Sequence, residues 1–108
     1  MPGKLILQYL ARIKNLISAG KWTLIPRKKN LDSLSNNGLT IQDVKNELLS
    51  LSLSDYQNGP VPDYSYSGDV WIFERHINGT AYYIKLKIDV TKDGVEILKC
   101  LSFHEEEM

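Results

Sequence analysis

The sequence predicts an α+β protein in which N-terminal helices pack on one face of an antiparallel sheet. Apolar residues recur at helical spacing through the first half of the chain. The second half holds aromatic and β-branched residues around two tight-turn signals, Asn78-Gly79 and Asp93-Gly94. Since 108 residues suffice for one hydrophobic core, we expect a single domain over residues 1–108.

The first helix is predicted from a stripe of apolar residues on one face. It spans residues 4–18, and Gly20 follows as a residue that readily ends a helix. A short strand over residues 22–25 comes next. Pro26 ends this strand, because it lacks a backbone donor.

Two further helices are predicted before the sheet. One spans residues 30–36, with Asn30 as its N-cap. The other spans residues 40–52 and opens with Thr40 and Asp43, a capping box with Asp in place of the usual Glu. All three helices therefore precede the sheet that they would cover.

The sheet itself is predicted as three strands over residues 70–77, 81–89 and 95–103. Asn-Gly favours a type I′ turn, because both central residues of that turn need positive φ. Reading both turns as two-residue turns fixes the register, since side chains alternate between faces. The predicted apolar face holds Trp71, Phe73, Ile84, Leu86, Leu101 and Phe103.

The opposite, polar face carries a row of side chains that chemistry could use. Glu74 lies beside Tyr83, and Tyr83 lies beside His104, with Lys85 and Lys87 on the same side. A carboxylate beside lysines on an open sheet face is also typical of solvated cross-strand pairs. One position disagrees with the register, because Lys99 would lie on the apolar face.

Cations are concentrated in the first part of the chain. Residues 1–45 carry eight Lys or Arg against two Asp, although the formal net charge of the whole chain is +0. Arg27, Lys28 and Lys29 stand next to a predicted helix start, where the macrodipole disfavours positive charge. This misfit favours a phosphate-binding role for them, with a solvated turn as the alternative.

Residues 55–68 are predicted to form a loop, because they contain two glycines and two prolines. Loops of this length in small domains are usually functional or disordered. Tyr56, Tyr64 and Tyr66 could stack on unpaired bases or contact a protein partner. Tyr56 is included among the candidate RNA-binding residues.

Several classes of protein are disfavoured by what the sequence lacks. It has no apolar run near the roughly 18 residues of a membrane span and no signal peptide. Cys100 is the single cysteine, and no histidine pair at metal-binding spacing occurs. We therefore expect a cytoplasmic protein that needs no metal and no cofactor and does not bind membranes.

Short motifs spread over most of the chain resemble the MqsR family of messenger-RNA interferases, within the RelE superfamily of bacterial toxins. They are Ile13 to Gly20, Gly38-Leu39, Leu49 to Ser52 followed by Ser54-Asp55-Tyr56, Val70-Trp71, Tyr82 to Lys85 and Ser102-Phe103. The resemblance implies a RelE/barnase-like small RNase fold. It also implies the toxin of a type II toxin–antitoxin system, with single-stranded mRNA and a cognate antitoxin as partners; ribosome dependence stays open.

The resemblance assigns the catalytic tyrosine of the family to Tyr83 and a lysine to Lys85. His104 stands where the family has a lysine, and other RelE-superfamily toxins use a histidine on the last strand. The implied reaction is metal-free RNA cleavage by 2′-hydroxyl attack. We expect Glu74 to be the base or to orient one, His104 to be the acid, and Lys85 and Lys87 to hold the phosphate.

A second interpretation belongs to another class of protein. The chain could be a non-catalytic interaction module that binds a partner through the tyrosine-rich loop and the sheet edge. The two interpretations differ in whether Tyr83, Lys85 and His104 line an open groove or lie beneath the loop.

Overall fold

Three helices and a five-stranded mixed sheet make up the computed structural model, which describes residues 3–106. In chain order the elements are α1 (Gly3–Ser18), β1 (Trp22–Leu24), α2 (Lys28–Asn36), α3 (Ile41–Leu49), β2 (Tyr56–Pro62), β3 (Asp69–Ile77), β4 (Thr80–Val90) and β5 (Glu96–Glu105), with a 3-10 turn at Leu53–Asp55. The strand order is β1-β5-β4-β3-β2. The predicted α+β class is confirmed, but the sheet is not purely antiparallel, because β1 runs parallel to β5.

The hydrophobic core lies between the helices and one face of the sheet. Ile13 and Ile17 of α1 and Val44 of α3 are fully buried against Phe73 and Ile84 of the central strands. Burial of one such side chain contributes roughly 1.5–3 kcal/mol. Tyr83, Lys85 and Lys87 alternate with the core residues along β4 and therefore lie on the opposite face of the sheet, called the open face below.

The register of the β3–β4 hairpin agrees with the prediction from Asn78-Gly79. Glu74 pairs with Tyr83, and Trp71 pairs with Leu86. Asn78 and Gly79 both have positive φ, 52° and 82°, as a type I′ turn requires. The polar row and the apolar face therefore lie on opposite sides of this hairpin.

The second turn is longer than predicted, and a bulge in β5 compensates for it. Val90 and Glu96 are the last paired positions, so five residues separate the two strands. Within this turn, Thr91 N donates to Val95 O at 2.8 Å. Leu86 pairs with Cys100, not with Leu101, and the register shifts between Lys85 and Leu86. Two predictions were therefore wrong: Leu101 does not pair with Leu86, and Lys99 lies on the open face.

Strand β2 was not predicted, because Pro60 and Pro62 argue against a strand. In the structure, β2 is an edge strand, and its pairing with β3 contains register shifts. Edge strands and such irregular positions are where a sheet tolerates proline. Gly59 is needed there: its φ is 123°, and a Cβ would approach Val70 O and Trp71 Cα to 2.9 Å.

Helix α2 begins two residues earlier than predicted, and Asn30 is not its cap. The asparagine is fully buried. Its Nδ2 donates to Ile25 O at 2.9 Å and Leu101 O at 3.1 Å, and its Oδ1 accepts from Phe103 N at 2.9 Å. One side chain thus joins α2 to the end of β1 and to the bulge in β5.

Helix α3 confirms the predicted capping box. Asp43 N donates to Thr40 Oγ1 at 3.1 Å, and Thr40 N donates to Asp43 Oδ2 at 2.8 Å. The helix ends at Leu49, three residues before the predicted end. None of the helices within residues 3–106 is long and apolar enough to cross a bilayer.

Candidate active site

The predicted polar row is present on the open face of the sheet. Tyr83 of β4 pairs with Glu74 of β3 on one side and with His104 of β5 on the other. The rings of Tyr83 and His104 stack, with centroids 5.5 Å apart and an angle of 28° between their planes. Cross-strand pairing thus holds a phenol and an imidazole in contact.

The Tyr83–His104 pair lies in a groove of about 400 Å³, called the histidine groove below. β4 supplies Lys85 and β5 supplies Ser102, while the start of α2 brings in cations from a separate part of the chain. The lining residues are Arg27, Lys29, Tyr83, Lys85, Ser102, His104 and Glu106. Cations from two sequence regions therefore converge on one histidine.

Two cations of the histidine groove, Arg27 and Lys85, have no side-chain partner among residues 3–106. Within residues 3–106 neither side chain makes a hydrogen bond or an ion pair. Arg27 is exposed and Lys85 is half-buried. Both cations are available to an anionic ligand, and guanidinium and ammonium groups are the usual ligands of phosphate.

The hydrogen bonding of His104 defines which ring nitrogen can react. Nδ1 lies 2.9 Å from the carbonyl oxygen of Glu105. A carbonyl oxygen only accepts, so Nδ1 carries the proton, and Nε2 is left to exchange a proton with a ligand. The backbone thereby selects the tautomer of the imidazole.

The Tyr83 hydroxyl stays protonated near neutral pH. Burial, together with the nearby Glu106 carboxylate, raises the pKa of Tyr83 above its ordinary 10.0. Tyr83 is therefore a hydrogen-bond donor in the groove and is unsuited to act as an anionic base.

Lys87 does not lie in the histidine groove. It is 95% buried beneath the segment Asp63–Gly68, and its Nζ donates to Asp63 Oδ2 at 2.9 Å. The ring of Tyr66 lies over the same ammonium, 5.7 Å from ring centroid to Nζ. Lys87 thus anchors the segment that joins β2 to β3.

Asp63 also shapes that segment. Its Oδ1 accepts from the backbone N–H groups of Ser65 and Tyr66, at 2.9 and 3.3 Å. The bonds from Lys87 and from these amides hold the pKa of Asp63 at about 2, below its ordinary 3.8. The carboxylate therefore stabilises the folded segment only while it is charged.

We expect the Asp63–Lys87 pair to make stability depend on pH in acid. A lowered pKa means that the contribution is complete above pH 3.8 and is lost as the pH falls through about 2. Chemical denaturation should show wild type more stable than Asp63→Asn at pH 5, with the difference shrinking towards pH 2. A difference that does not vary with pH would contradict this assignment.

The remaining candidates lie outside the histidine groove. Lys28 pairs with Asp32 along α2. Tyr56 packs edge-on against Trp71 and Phe73, on the helix side of the sheet, and its hydroxyl donates to Gly59 O at 2.6 Å. Glu74 is half-buried beside Tyr83 but does not line the groove.

Sequence reasoning missed three functional candidates, which are Ser102, Glu106 and Asp63. Ser102 and Glu106 line the groove through their places beside His104, which the strand alternation could have indicated. The role of Asp63 depends on how the segment after β2 folds back, and so does the position of Tyr66, which the sequence already offers as a stacking candidate. The only signal was an Asp two residues before a Ser, which is typical of an Asx turn.

Helices on one face of a small sheet and a cationic groove containing a histidine on the other define a RelE-like α+β domain. Residues 7–105 match the family model described as "Motility quorum-sensing regulator, toxin of MqsA". The chain therefore belongs to the MqsR toxin family. A comparison with individual curated proteins gives no match. Family membership makes the chain a toxin of a toxin–antitoxin system, with an antitoxin as its partner.

Proposed function

We propose that this toxin is a metal-independent endoribonuclease that cleaves single-stranded mRNA in the bacterial cytoplasm by attack of a 2′-hydroxyl on the adjacent phosphate. The observation that carries the proposal is the histidine groove, in which the stacked Tyr83–His104 pair lies beside Arg27 and Lys85, two cations that have no side-chain partner in the described part of the chain. Such a reaction needs an acid, a base and cations that stabilise the phosphorane.

Each proposed step uses a group of this chain. The 2′-oxygen bonds to phosphorus as its proton passes to the base. The bond from phosphorus to the 5′-oxygen breaks, and Nε2 of the His104 imidazolium gives its proton to that oxygen. The products are a 2′,3′-cyclic phosphate and a 5′-hydroxyl.

Arg27 and Lys85 stabilise the extra negative charge that the phosphorane carries. Lys29 lines the same groove and is assigned to the neighbouring phosphate. The protonated hydroxyl of Tyr83 donates to a phosphate oxygen. Glu74, the cross-strand neighbour of Tyr83, is assigned as the base or as the group that orients it.

The chain has its own cations for charge stabilisation, which supports a reaction without metal. Within residues 3–106, no three side chains of His, Cys, Asp or Glu come together as metal ligands. The alternative is a non-catalytic module that binds a protein through its tyrosine-rich segment. Tyr83, Lys85 and His104 line an open groove, whereas the segment covers Lys87; this arrangement favours the nuclease.

The test is cleavage of a long single-stranded RNA by the purified protein in EDTA, with the product ends mapped. We expect discrete cuts that carry 2′,3′-cyclic phosphates and 5′-hydroxyls. If free RNA is left intact, the same assay on translating ribosomes distinguishes a ribosome-dependent enzyme. Intact RNA in both assays would contradict the proposal and favour the interaction module.

A further inference from the structure

A second groove continues from the histidine groove along the open face. It has a volume of about 500 Å³ and is called the tyrosine groove below; Arg27 lines both grooves. Its other lining residues are Ile25, Asp63, Tyr66, Ser67, Lys87, Asp89, Lys99 and Leu101. The proposed nuclease reaction makes no use of this space.

We propose that the tyrosine groove is a nucleotide subsite, in which Tyr66 stacks on the unpaired base of a nucleotide next to the cleaved bond. This inference rests on the proposed ribonuclease function. The ligand is a nucleotide of single-stranded RNA whose phosphate lies at Arg27, where the two grooves meet.

The position of Tyr66 suits a stacking platform. The residue is 76% exposed, although its ring lies against Lys87 Nζ and its backbone N–H donates to Asp63. One ring face is thus supported from below while most of the ring remains accessible. An aromatic ring that is held in place before binding loses little conformational entropy when a base stacks on it.

The charges around the tyrosine groove also fit RNA. Asp63 is neutralised by Lys87, and Asp89 accepts a bond from Lys99 Nζ at 2.8 Å. Arg27 is left as the lining cation without a side-chain partner among residues 3–106. The neutralised ion pairs can accommodate an uncharged base, and the guanidinium of Arg27 can bind a phosphate. The groove therefore offers one site for each part of a single nucleotide.

Tyr64 offers a contrasting site in the same segment. It is fully exposed and lines neither groove, but it borders a small cavity next to Tyr83 and Lys85. A base stacked on Tyr64 would lie at this cavity and not in the tyrosine groove. Stacking on Tyr64 and stacking on Tyr66 can therefore be distinguished by substituting each tyrosine separately.

The experiment compares Tyr66→Leu and Tyr66→Phe with wild type on a short RNA containing one mapped cut. Leu removes the ring and retains apolar volume, whereas Phe retains the ring. Because stacking on one base is worth roughly 1–3 kcal/mol, we expect Tyr66→Leu to raise KM by about 5- to 150-fold without lowering kcat. Tyr66→Phe should stay within about twofold of wild type.

An abasic scan of the substrate identifies the stacked base. In wild type, an abasic site at one position next to the cut should raise KM by the same factor as Tyr66→Leu, and in Tyr66→Leu it should have no further effect. An abasic effect that persists in full in Tyr66→Leu would overturn the proposal. If the abasic effect persisted in Tyr66→Leu but disappeared in Tyr64→Ala, Tyr64 and not Tyr66 would be the residue that stacks on the base.

Binding of a 2′-O-methyl RNA, which cannot be cleaved by this route, separates the subsite from the chemistry. If wild type does not cleave RNA, the proposed function fails, but the affinity of this RNA still tests the subsite. Weaker binding by Tyr66→Leu than by Tyr66→Phe supports it, and equal binding by the two variants overturns it.

Discussion

Replacement of His104 by Ala is expected to lower kcat for RNA cleavage by about 10²–10⁴-fold, the usual contribution of a general acid. The hydrogen bond from Nδ1 to the Glu105 carbonyl leaves Nε2 as the reactive nitrogen, and Ala removes it. His104→Gln should be similarly impaired, because an amide is polar but does not titrate near neutral pH. Initial rates on a short RNA in EDTA measure both effects.

The second histidine of the chain provides a matched control. His76 lies at the end of β3 beside the Asn78-Gly79 turn, is exposed, and lines neither groove. His76→Ala should therefore cleave RNA as wild type does. If His104→Ala retained full activity, or if His76→Ala lost as much, His104 would not be the acid.

Replacement of Asn30 by Ala is expected to produce a large loss of stability. The variant loses three hydrogen bonds and leaves the carbonyls of Ile25 and Leu101 and the N–H of Phe103 without this partner. At roughly 1–3 kcal/mol for each unsatisfied buried group, we expect the free energy of unfolding to fall by about 3 kcal/mol or more. Such a loss would lower Tm by about 15 °C.

Asn36→Ala is the matched control, because Asn36 lies in the same helix and is exposed. Its free energy of unfolding should stay within about 0.5 kcal/mol of wild type. Asn30→Asp should also be strongly destabilised, since a carboxylate cannot donate to the two carbonyls. A wild-type Tm in Asn30→Ala would show that water or a backbone shift replaces the asparagine.

Local patterns predicted the central hairpin and, with it, much of the candidate site. Alternation around Asn78-Gly79 fixed the pairing of Glu74 with Tyr83, and the assumed second turn gave the correct pairing of Tyr83 with His104. The second success depended on two compensating features. The turn is longer than assumed, and the bulge at Leu101 restores the register before His104.

Features that depend on distant parts of the chain could not be predicted from local patterns. The burial of Asn30 arises from contacts with residues up to 73 positions away. The parallel pairing of β1 with β5 and the prolines tolerated in β2 are set by position in the sheet. The fold of the segment after Asp63 depends on Lys87, for which the sequence alone predicts a phosphate-binding role.

The position of β5 in the sheet has a consequence for when the toxin becomes active during its synthesis. This strand lies between β1 and β4, although both are translated before it. A nascent chain that has not reached residue 104 therefore lacks both the complete strand that joins the N-terminal elements to the hairpin and the histidine of the groove. Long-range pairing of this kind also slows folding. The delay separates translation of the message from the appearance of an enzyme proposed to destroy messages, and it gives an antitoxin time to meet the finished chain.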